Sequence, residues 1–208
     1  MRLLGLIFCG AARLPAVARV VFTKSFPGSV PAFVNVSVDS AGAAQYREDA
    51  EDQRPLLFTV SAQEAQTVFD LAARLNFFKD KLESDAKVAR MGLKTFRFEK
   101  DGAGQQTQFN YTDNPDARLL ADWFERVSET EQHRAHLERA TRYDKLGVNQ
   151  ALLEVQAGWE QKRLIAPEQL LPLLDAVAKN EKFVNMARTR AAALADLIRA
   201  GGPATTTP

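Results

Sequence analysis

Glu129, His133 and His136 recur at i, i+4 and i+7 in a segment of helical periodicity, so one helix face offers one oxygen and two nitrogen donors. A divalent metal held there would make the chain a metal-binding protein or a metal-assisted hydrolase. The spacing is not His-Glu-x-x-His, no fourth ligand identifies itself, and Arg134 and Arg139 bring like charge to the same helix. A solvated face laced by intrahelical ion pairs is the plainer reading of the same residues.

Other chemistry has less to stand on. These two histidines are the only ones in the chain, Ser128 lies too near them on the same helix to complete a hydrolytic triad, and no Gly-x-Ser-x-Gly elbow occurs. The only Gly-x-Gly, Gly102-Ala103-Gly104, precedes a strand rather than a helix and reads as a hairpin turn, not a phosphate loop. Trp123, Trp159, Phe77 and Phe78 sit at core spacing, so no catalytic residue and no organic cofactor is assigned.

The frame that must position these groups is an ordinary globular one, with 46% hydrophobic and 25% charged residues in 208. The net charge of +1 supplies no field for a polyanion, so nucleic acid is not an expected partner. The segment 79–100 is locally basic and reads as a solvated loop entering a strand.

At the N-terminus, Leu3 to Ala12 is an apolar run, followed by Ala16-Val17-Ala18, a small-x-small pattern that signal peptidases accept. The run is too short to cross a hydrocarbon core, which takes about 20 residues, so it is not a transmembrane segment. Residues 1–18 therefore read as a signal peptide, with periplasmic or secreted localisation. Cys9, the only cysteine, lies inside it. The alternative is a cytoplasmic adaptor whose first structured segment is this same run. Asn35-Val36-Ser37 and Asn110-Tyr111-Thr112 have the form of glycosylation sequons, but the Ala, Arg and Leu usage has a bacterial character and no glycan is expected.

From Arg19 onward, β-branched and aromatic residues at period two predict strands over 19–23, 32–38, 44–47 and 56–60, the second and third forming a hairpin over 32–48. Ser61 and Glu64 form a capping box for a helix whose apolar stripe is Ala65, Val68, Phe69, Ala72 and Leu75. A second hairpin joins the strand carrying Phe96 and Phe98 to the one carrying Thr107 and Phe109. Asn114-Pro115 starts a long helix, whose polar run 129–139 bridges two modules. After Gly147 three further helices follow, the second opened by Pro167.

The expected fold is thus α+β: an N-terminal antiparallel sheet of about six strands with one packed helix, over 19–113, then an all-helical half over 114–200 and a disordered tail over 201–208. The stretch Val88 to Glu125, with MGLKTFRFEKDG and NYTDNPDARLLADWFE, resembles uncharacterised bacterial envelope proteins, a resemblance that implies no activity. The expected function is a non-enzymatic binding module for an envelope protein or small ligand, acting through the sheet face or the helical half.

Overall fold

Period-two alternation in the first half builds a single antiparallel sheet. The computed structural model describes residues 17–201. Residues 1–16 of the segment read as a signal peptide, Cys9 included, and the tail from residue 202 lie outside the described residues. The strands are β1 (Arg19–Ser25), β2 (Phe33–Asp39), β3 (Ala43–Arg47), β4 (Leu56–Thr59), β5 (Leu93–Lys100) and β6 (Ala103–Phe109). Their order is β4-β3-β2-β1-β5-β6, so the first strand in sequence is central, paired with β2 on one side and β5 on the other.

Register decides which face each residue occupies. Phe22 stands opposite Val36 and Phe96, and Val20 opposite Val38, so these side chains share the buried face with Ala44, Tyr46 and Phe109. Helix α1 (Ala62–Arg74) and the first half of α2 (Pro115–Tyr143) cover that face. The aromatic rings interlock there, with Phe22 stacked on Phe124 at 5.2 Å and Phe96 lying 5.1 Å from Phe109. Phe78 is wholly buried although Asn76, Phe77 and Phe78 all have positive φ, a left-handed turn that burial of the rings over-determines.

The helix caps follow the sequence in part. Asn114 accepts from the Ala117 amide at 3.1 Å as an N-cap, with Pro115 at the first helical position. Ser61 accepts from the Glu64 amide at 3.1 Å, but the Glu64 carboxylate does not return to the cap. It accepts instead from the indole N–H of Trp123, tying α1 to α2, because a buried indole donor needs a partner more than a solvated amide does.

The helical half comprises the end of α2, α3 (Val148–Glu160), a 3₁₀ turn at 167–170, α4 (Leu171–Lys179) and α5 (Asn185–Arg199). A second hydrophobic cluster gathers Leu137, Leu152, Val155, Leu174, Val177 and Leu194. Helix α2 contributes to both clusters, through Val127 to the first and Leu137 to the second. Between them the chain departs from expectation: within the polar run 129–139, Thr130, Glu131 and Leu137 have no exposed surface. No described helix is long and apolar enough to cross a membrane.

Candidate functional site

Of the three residues that sequence spacing placed on one face of α2, Glu129 and His136 are bonded to different neighbours. Arg163 claims Glu129, with Nε to Oε2 at 2.9 Å and Nη2 to Oε1 at 2.7 Å. The local cause is the end of α3. Lys162 adopts φ +56°, its amide bonds the Trp159 carbonyl at 2.9 Å and the Arg163 amide bonds the Gly158 carbonyl at 2.8 Å, a Schellman closure that aims Arg163 back at α2.

His136 Nδ1 lies 2.7 Å from Glu154 Oε2 on α3. His133 is half-buried, and its Nε2 lies 3.4 Å from where a Gly158 side chain would begin. Burial pushes its imidazole below the ordinary value, against the pull of Glu154 and Glu129. Among the described residues no group of three or more His, Cys, Asp or Glu side chains is placed to hold a metal ion. In this arrangement Glu129 is bonded to Arg163 and His136 to Glu154, and the three side chains do not converge.

Beside this face a set of buried polar groups escaped the sequence reading. Ser128, Thr130 and Glu131 lie between the two hydrophobic clusters. Thr130 Oγ1 donates to the Arg126 carbonyl at 3.0 Å and accepts from the Ile165 amide at 3.0 Å, and Arg126 Nη2 donates to the Lys162 carbonyl at 2.8 Å. These bonds pin the 161–166 connection across α2. On the sheet side Tyr46 donates to Glu48 at 2.7 Å, and burial pushes its phenol upward. Nothing in a Thr-Glu dipeptide within a polar run signals burial, which only the crossing of the connection produces.

A second missed feature is Lys94. It stands opposite Lys24 across β1 and β5 on the helix-facing side, is 8% exposed, and has its amine pushed down chiefly by burial. Lys24 binds Glu125 at 2.9 Å, and this pair lines a cleft of about 240 Å³ with Phe22, Phe26 and Gln132.

The sheet's other face is covered by no described helix. Arg19, Thr23, Asn35, Gln45, Arg47 and Arg97 bound a concavity of about 410 Å³ there, with Ser37, Thr95 and Gln106 also on it. Asn35 donates to Thr23 at 3.1 Å and Arg97 pairs with Glu99 at 3.0 Å. Alternation explains much of the composition: the strands send most of their amides, hydroxyls and guanidiniums to this face, together with Val21, Phe33 and Glu99.

Comparison with known proteins finds no matching family model, no matching curated protein and no matching solved structure.

Proposed function

We propose that the chain is an exported, non-enzymatic binding module of a bacterial envelope, and that its ligand, an envelope protein or a small molecule, lies on the open face of the sheet. The observation that carries the binding half is the chemistry of that face. Its amides, hydroxyls and guanidiniums donate and accept hydrogen bonds but do not exchange protons near neutral pH, which suits recognition rather than acid and base work. Six hydrogen-bonded strands hold these groups at fixed spacing, so little ordering is needed when a ligand binds. The export half rests on the apolar run and the small-x-small pattern before Arg19.

The test is a pull-down from a bacterial envelope fraction with the wild-type chain and with a face variant, Asn35→Asp with Gln45→Glu and Gln106→Glu. The expected result is a partner or ligand retained by the wild type and lost by the variant, with a tagged full-length chain found in the periplasm or medium. A tagged chain that stays in the cytoplasm removes the export half. Retention unchanged by the face variant removes the sheet face as the binding surface.

A further inference from the structure

An unpaired sheet edge presents a row of backbone donors and acceptors, which soluble chains blunt with charge, proline, a bulge or brevity. At one end of the sheet β4 is four residues long and follows Pro55. At the other end β6 has none of these devices. It runs for seven residues in unbroken register with β5, and the stretch from Gly102 to Thr112 contains no charged residue and no proline.

The hairpin that forms β6 decides which of its groups face outward. Asp101 and Gly102 both have positive φ, a type I′ turn that makes Lys100 and Ala103 a hydrogen-bonded pair. Pairing then alternates, so Ala103, Gln105, Thr107 and Phe109 bond β5, whereas Gly104, Gln106 and Gln108 point their N–H and C=O away from it. Among the described residues no other backbone group takes these up. The next outward amide, that of Asn110, donates to the Glu83 carboxylate, and the Ser84 amide bonds the Tyr111 carbonyl at 2.9 Å. The free edge is thus bounded by the Asp101-Gly102 turn and by residues 83–84, and its midpoint is Gln106, an outward-facing residue.

We infer that β6 pairs antiparallel with β6 of a second copy of this chain, with the two-fold axis between the two Gln106 residues. In that register Gln106 meets Gln106 and Gly104 meets Gln108, each pair exchanging both main-chain hydrogen bonds. The turn of each copy ends where residues 83–84 of the other begin. A foreign strand would need only the free hydrogen bonds, whereas a midpoint on an outward-facing residue, with matching stops at both ends, is what a two-fold pair requires. The side chains agree. β6 carries no charge to repel its copy, and a glutamine amide both donates and accepts, so it complements itself. Arg97 lies over Gly104, its Nε 3.1 Å from where a side chain there would begin, so Gln108 of the other copy meets a guanidinium from which its carbonyl can accept.

The test is sedimentation velocity of the full chain, kept reduced so that Cys9 forms no cross-link, from micromolar to hundreds of micromolar. Gln106→Lys and Gln106→Glu each set like charges across the axis. Gln108→Pro removes an outward N–H without touching the β5 ladder or any residue lining the open-face concavity. The expected result is a concentration-dependent wild-type dimer, weakened several-fold in each variant and restored when the Lys and Glu variants are mixed in equal amounts. A wild type that stays monomeric throughout overturns the pairing and leaves the edge to an extended segment of another protein. A dimer unchanged by these substitutions, or a Lys and Glu mixture that fails to restore it, also overturns the pairing. Should Gln108→Pro unfold, the two charge variants and their mixture decide alone.

Discussion

Arg163 grips both carboxylate oxygens of Glu129 and reaches Asp122 with its remaining nitrogen at 2.7 Å, so one side chain from the end of α3 spans two turns of α2. The three groups are partly exposed, which limits what the contact contributes, but a two-point fork suits a planar guanidinium and not an ammonium. Arg163→Lys should therefore recover little of what Arg163→Met loses. In a double-mutant cycle with Glu129→Gln, read by urea unfolding, the coupling should be about 0.5–1 kcal/mol and should shrink with added salt. Equal stability for the Lys variant and the wild type would show that the fork geometry is irrelevant.

Lys162 occupies a left-handed position at the close of α3, where a side chain is strained and glycine is not. Lys162→Gly should stabilise the chain by about 0.5–1 kcal/mol, the relief being partly offset by a more flexible unfolded state. Thermal unfolding measures it. A lower melting temperature would place the strain elsewhere.

Gly42 closes the hairpin between β2 and β3 with φ +86°, and a side chain there would begin 2.6 Å from the Val60 carbonyl oxygen. The Gly42 carbonyl also accepts from the Val60 amide at 2.9 Å, so the turn and the start of α1 are locked together. Gly42→Ala should cost roughly 2–4 kcal/mol, from backbone strain and a disrupted hydrogen bond. Chemical denaturation reads this directly, and a loss under 1 kcal/mol would mean that the loop shifts freely, since surface changes stay within about 0.5 kcal/mol.

Burial of His133 gives the chain an acid-sensitive contribution to stability. The folded imidazole titrates below the ordinary value of 6.5, so the folded chain binds this proton less tightly than the unfolded chain. Its contribution is complete above that value and is lost as pH falls toward the folded one. His133→Gln should flatten the decline in stability on acidification below pH 6.5, measured by urea unfolding at stepped pH. An unchanged profile would assign the acid sensitivity to other groups.

For the metal candidate, zinc content of the purified protein should be well below one per chain and identical in a His133→Ala, His136→Ala double variant. Stoichiometric zinc that disappears in the variant would restore Glu129, His133 and His136 as a centre, formed by rotamers other than those bonded to Arg163 and Glu154.

Much of this molecule was written in local pattern. Alternation around Val34, Val36 and Val38, the Asn114-Pro115 start of α2 and the breaks at Gly147 and Pro167 are set by backbone preference and near-neighbour burial, and these marked out sheet and helices without any partner known. The same alternation separates the core residues from the polar open face. Tertiary structure alone decided the rest. β5 returns past α1 to pair with β1, a contact between segments far apart in sequence that no local period encodes. Likewise, helical spacing put Glu129, His133 and His136 on one face, but Arg163 and Glu154, reaching across from α3 and its end, determined which of them could meet. Glu131 is buried because other elements cross over α2, and a charged residue's own neighbours in sequence carry no record of that crossing, whereas Lys94 shares its buried face with Phe96 by alternation along β5.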